Sequence, residues 1–154
     1  MVLILVICRT GKERRVAVDL EDALFHLDPG VEAWFTGFPG VLLVRLEADA
    51  GRVLEVLERF RVKDVLKIRP FLRVWDVSRI DDICVPISEV IKVGPLGVRV
   101  YVRGSDLSKS YLEKLVFSCL ERLGVRVSFA SGKVLVVDVI RDMIGISVVD
   151  RRNA

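Results

Sequence analysis

The chain has 154 residues, 52% of them apolar and 29% charged, with one histidine and a net charge of +3. That length suits one ordinary domain or two small ones, and the apolar share excludes a disordered chain outside the termini. No apolar run approaches the roughly 18 residues needed to cross a bilayer, so a membrane-spanning protein is not expected.

Met1 to Ile7 is apolar, has no basic stretch before it and reaches Cys8-Arg9 too early for a signal peptide. It reads as a buried first strand running to Cys8, and the protein as cytoplasmic. After the turn Thr10-Gly11-Lys12, the apolar positions Val16, Ala17, Leu20, Ala23, Leu24 and Leu27 recur at helical spacing until Asp28-Pro29-Gly30. Val31 to Phe35 and Val41 to Leu46 flank a loop of hairpin chemistry, Thr36 to Gly40. A second helix follows on Ala50, Val53, Leu54, Leu57 and Phe60. Val65 to Val77 is then extended, with Pro70 marking a break or an edge position. The order strand, helix, strand, strand, helix, strand is the split βαβ pattern of ferredoxin-like folds.

Ser78 followed by Asp81 reads as an N-cap with an acid in the first turn. A short helix on Ile80, Ile83 and Cys84 and another on Ile87, Val90 and Ile91 end before Gly94-Pro95-Leu96-Gly97. A strand follows from Val98. The longest helix puts Leu107, Tyr111, Leu112, Leu115, Val116, Cys119, Leu120 and Leu123 on one face. Ser110 with Glu113 matches a capping box, and Gly124 is a natural stop. Strands are expected at Val125 to Phe129, Lys133 to Val139 and Ile144 to Val149. The boundary falls near Ser78, giving residues 1–77 and 78–154 as two modules.

Residues 1–76 carry 12 basic and 12 acidic side chains, whereas 77–154 carry 12 and 9, so the excess lies in the second half. Cys8, Cys84 and Cys119 are far apart and form no CxxC, which excludes a zinc site of usual spacing and favours buried, inert thiols. Glutamine is absent and Asn153 is the only asparagine, a composition that fits a heat-adapted source.

Catalytic groups are sparse. His26 is the only histidine and falls on a charged surface beside Asp28, and the adjacent acids Glu21-Asp22 and Asp81-Asp82 diverge on a helix rather than face each other. Neither Gly37-x-x-Gly40 nor Gly94-x-x-Gly97 is followed by Lys-Ser/Thr, so no phosphate-cradling loop is evident. The turns of the second half instead present cations. Arg99 and Arg103 share one strand face, Arg103-Gly104-Ser105 leads toward a helix start, and Lys109 lies in the first turn. Lys133 opens a strand and Arg141 sits between two strands. An apolar sheet with cationic edges suits phosphate better than it suits an active site.

The segments Gly97-Val-Arg-Val-Tyr-Val-Arg-Gly-Ser and Lys133-Val-Leu-Val-Val-Asp-Val-Ile-Arg-Asp-Met-Ile-Gly-Ile-Ser-Val-Val, with the element order around them, resemble the THUMP domain, an RNA-binding module of tRNA-modifying proteins. Leu66-Lys-Ile-Arg-Pro-Phe-Leu-Arg-Val resembles the end of the small ferredoxin-like domain that usually precedes it. The resemblance implies an α+β protein: an N-terminal ferredoxin-like βαββαβ module packed on a C-terminal THUMP-like ααβαββ module. It implies tRNA as partner, recognised near the acceptor stem, with RNA-binding roles at Arg99, Arg103, Ser105, Lys109, Lys133 and Arg141. The chain looks like stand-alone THUMP proteins that present tRNA to a separate cytidine acetyltransferase. That implies a non-catalytic adaptor without cofactor or metal. The alternative is a protein-interaction or assembly module whose sheet edges pair with another chain. A small enzyme of acylphosphatase type is disfavoured, because it needs an asparagine that is missing here.

Overall fold

The computed structural model describes residues 1–92 and 94–154. It is a mixed α+β structure that divides into two compact units, Met1–Pro70 and Phe71–Ala154. In the first unit, β1 (Val2–Cys8), α1 (Glu13–Leu24), β2 (Glu32–Phe35), β3 (Val41–Leu46), α2 (Ala50–Arg59) and β4 (Val65–Pro70) follow in order. The sheet order is β2-β3-β1-β4, with every neighbouring pair antiparallel. β1 is apolar throughout because it is a central strand, and its Ile4 and Val6 are fully buried. They pack with Val16, Leu20 and Leu24 of α1 and Val53 and Leu57 of α2 into one core. Pro70 ends β4, an edge strand, where it lies opposite Ile4 of β1.

The second unit adds β5 (Arg73–Asp76), a 3-10 turn over Val77–Asp82, α3 (Cys84–Val90), β6 (Gly97–Arg103), α4 (Lys109–Arg122), β7 (Lys133–Ile140) and β8 (Met143–Asp150). A short 3-10 turn, Arg151–Asn153, follows. The sheet order is β5-β8-β7-β6, parallel between β6 and β7 and antiparallel elsewhere. Val100, Leu135, Val137 and Ile146 meet Ile87 of α3 and Leu112, Val116 and Leu120 of α4 on one face. On β8, Gly145 leaves room for the ring of Phe71, which a Cβ there would overlap and displace.

Several sequence expectations are corrected. The division lies after Pro70 rather than near Ser78, because Arg73–Asp76 leaves the first unit's sheet and pairs with β8. The second unit therefore opens with a strand, and its first expected helix is a 3-10 turn. Val125 to Phe129 forms no strand; only Val127 bridges Leu96. The cap of α4 is Ser108, whose hydroxyl accepts from the Tyr111 N–H at 3.3 Å, so Ser110 already lies inside the helix.

The cysteines differ as well. Cys84 and Cys119 form a disulfide, because the packing of α3 on α4 brings their Cα atoms to 5.4 Å. Cys8 alone matches the expected buried thiol, and burial raises its pKa first of all, with Glu13 adding to the effect.

Candidate nucleic-acid interface

β6 is an edge strand, and its odd-numbered residues, Arg99, Tyr101 and Arg103, share one face. Tyr101 packs on Val134 and Val136, away from the α3 and α4 core, so the two arginines project from the face those helices leave uncovered. At the C-terminal end of β6 the chain turns through Gly104, whose φ of +66° puts it in the left-handed region. Ser105 Oγ then accepts from the Leu107 N–H at 3.2 Å, which shapes the approach to α4. Lys109 is the first residue of that helix and is exposed. Arg141, in the β7–β8 turn with φ +54°, donates its backbone N–H to the Arg103 carbonyl at 2.8 Å.

Four of the six expected residues, Arg103, Ser105, Lys109 and Arg141, thus belong to one end of the sheet. Lys133 does not join them. It opens β7 at the opposite end, where its Nζ meets Asp150 at 2.8 Å. Seven residue steps along a strand separate it from Ile140, roughly 23 Å at about 3.3 Å per residue. Arg99 lies between the two ends, opposite Val136, with Nη1 3.4 Å from the Ala154 carbonyl oxygen. The six positions therefore do not gather into one compact phosphate site; they spread over both ends of the sheet, with Arg99 and Arg103 on the edge strand itself. The cause is the parallel β6–β7 pairing, which aligns Arg103 with Ile140 and Gly97 with Val134.

Arg103 has a further task. Its guanidinium sits 3.2 Å from Asp138, a carboxylate with no solvent exposure, and 5.1 Å from the Tyr101 ring centroid. Sequence reasoning does not single out Asp138. The available signal was an acid inside the apolar run Val136-Val137-Asp138-Val139, which calls for a charged or hydrogen-bonding partner. At the other end, the Lys133 hydrogen bond holds the Asp150 carboxyl below its ordinary range. Arg151 donates from Nε to the Ser131 carbonyl at 2.8 Å, while its Nη2 is buried without a partner. Among the described residues, no three of His, Cys, Asp and Glu gather into a metal-binding group. No helix among them is long and apolar enough to cross a membrane.

No protein-family model matches the sequence, and no curated protein is significantly similar to it. Solved structures do share the fold. TrmN from Thermus thermophilus superposes with a TM-score of 0.67 at 16% identity, over 96% of this chain and 45% of that one. A predicted N6-adenine-specific DNA methylase from Listeria monocytogenes str. 4b F2365 gives 0.60 at 12%, over 96% and 40%. A 4-thiouridine synthetase in complex with RNA and bound ATP gives 0.55 at 13%, over 97% and 42%. At these identities the likeness is one of fold, and the chain spans less than half of each of the three. It nevertheless corrects the expectation of a non-catalytic protein, because the fold recurs within a synthetase and a predicted methylase, which are enzymes.

Proposed function

We propose that this chain is an RNA-binding module of THUMP type that acts in tRNA modification. In this reading the first unit is ferredoxin-like, the second is THUMP-like, and together they hold tRNA near its acceptor stem for a modifying active site. The carrying observation is the match over 97% of the chain to a synthetase seen with RNA. The cations on and beside β6 support it: phosphate contacts need positive groups fixed on a rigid frame, and sheet ends supply that frame. Arg99, Arg103, Lys109, Lys133 and Arg141 are the proposed phosphate contacts, and Ser105 shapes the turn that presents them. A cytidine acetyltransferase is the proposed partner, receiving tRNA held by this chain.

The test is tRNA binding by fluorescence anisotropy as a function of salt. Phosphate contacts release counterions, so affinity falls on the order of 10-fold or more between about 50 and 200 mM salt. No binding at the lower salt, or binding indifferent to salt, overturns the reading. Salt-indifferent capture of another protein would favour the assembly alternative instead.

A further inference from the structure

The first unit contributes no net charge: residues 1–70 contain eleven basic and eleven acidic side chains. The balance hides a separation in space. Residues 9–15 and 58–64 together hold seven basic and three acidic side chains, leaving four basic and eight acidic in the rest of 1–70. Both basic segments lie at one end of the sheet. β1 finishes there at Cys8, opposite Val65 where β4 starts, and α1 begins there while α2 ends there.

The loops at that end are tied to each other. The Arg9 N–H donates to the Asp64 carbonyl at 2.9 Å, and the Cys8 N–H donates to the Gly40 carbonyl at 2.9 Å. Arg15 donates to the Lys63 carbonyl at 3.1 Å and also pairs with Asp64, which pairs with Arg9 at 3.2 Å. Two of the three acids in these segments are thereby committed. Asp64 is shared by two arginines, and the Glu13 carboxylate accepts from the N–H groups of Gly11 at 2.6 Å and Gly40 at 3.4 Å. Glu13 thus fills the backbone donors itself instead of neutralising a neighbouring cation. Lys12, Arg14, Arg59, Arg61 and Lys63 are exposed and form no ion pair among the described residues. Phe60, 56% exposed, sits among them.

We propose that this loop end, presenting Lys12, Arg14, Arg59, Arg61 and Lys63, is a second docking point for the phosphate backbone of RNA, separate from the cations on and beside β6. The inference rests on the RNA-binding reading above. An unpaired group of cations on a pinned frame attracts a polyanion, and the acidic remainder of the first unit repels it, so this unit meets RNA with one end only. The interaction is with phosphate and is blind to base sequence.

The test compares the full chain with Lys12→Gln/Arg14→Gln/Arg61→Gln/Lys63→Gln, and with Lys12→Gln/Lys63→Gln as a milder variant, in salt titrations of tRNA binding. Arg52→Gln, set against Arg14→Gln, is the matched control, because Arg52 lies near the opposite end of α2. Removing one cation that neutralises a phosphate lowers the log–log salt slope by about 0.7–0.9. The fourfold variant is expected to bind at least about 10-fold more weakly with a slope reduced by roughly three, and Arg52→Gln is expected to bind like the parent. Parent-like affinity and slope in both multiple variants overturn this inference while leaving RNA binding intact. A parent that binds no RNA overturns the function itself. Binding instead to vesicles of anionic lipid, abolished in the fourfold variant, shows that the cationic end serves a membrane and overturns both.

Discussion

Replacing Arg103 with alanine separates two roles that its position combines. Asp138 has no exposure and sits within β7, and Arg103 holds it at 3.2 Å with a side chain that is 20% exposed. Without the guanidinium, a carboxylate remains in a low-dielectric interior. Breaking a fully buried pair costs about 3–5 kcal/mol. Here the arginine is partly solvated and Asp138 keeps a further interaction, so the expected loss is lower, about 2–3 kcal/mol. For a chain of this size that lowers Tm by roughly 5–10 °C. Asp138→Asn removes the charge and keeps the shape, so the double variant Arg103→Ala/Asp138→Asn should recover part of the loss. A coupling of about 1 kcal/mol or more is expected in the cycle. Urea unfolding measures stability, and RNA binding is then read under conditions where each variant is fully folded. If Arg103→Ala matches the parent in stability, or the double variant equals the sum of the singles, the buried-pair argument fails and Arg103 is purely a surface cation.

Two further outcomes follow from the packing and the carboxylates. The Cys84–Cys119 disulfide closes a loop of sequence separation 35, and chain-entropy estimates for such loops give about 3–4 kcal/mol. Reduction, or Cys84→Ala/Cys119→Ala, should therefore lower the unfolding midpoint; an unchanged midpoint would refute that. The Glu13 carboxyl lies below its ordinary range through hydrogen bonds from its own N–H and those of Gly11 and Gly40, and Asp28 lies below its own range through the N–H groups of Glu47 and Gly30. A lowered folded pKa means that this stability is complete above the unfolded value, near 4 for carboxylates, and is lost as pH falls through the folded value. Glu13→Gln should flatten the acid limb of a stability–pH profile, and an unaltered limb would assign acid sensitivity to other groups.

Most of the first unit is legible in the sequence because each element there carries its own periodicity. The apolar run of β1, the helical stripe of α1 and the hairpin flanks at Phe35 and Val41 are local signals. The second unit is less so, since what decides it is pairing between distant segments. Residues 73–76 look like a continuation of β4 until β8, some seventy positions on, takes them up. Val125 to Phe129 has the composition of a strand, yet only Val127 finds a partner, at Leu96. The disulfide is of the same kind: Cys84 and Cys119 occupy helix faces whose encounter no spacing along the chain announces.

The candidate interface follows the same logic. Residue types are readable, because arginines and lysines at turns are visible in any sequence, but their grouping depends on strand direction. Parallel pairing of β6 with β7 brings Arg141 to Arg103 and sends Lys133 to the far end. In the first unit the sequence misleads in the opposite sense. Its balanced count of charges suggests a neutral surface, although α1 begins and α2 ends at the same end of the sheet, which gathers the cations there. Net charge is a scalar, whereas attraction of a polyanion depends on the field at a surface, and that field falls off within about 8–10 Å at physiological salt. Cations of the loop end therefore act on a phosphate there largely unopposed by acids at the other end of a strand. A neutral unit can bind RNA provided its charges are sorted, and the sorting is a property of the fold.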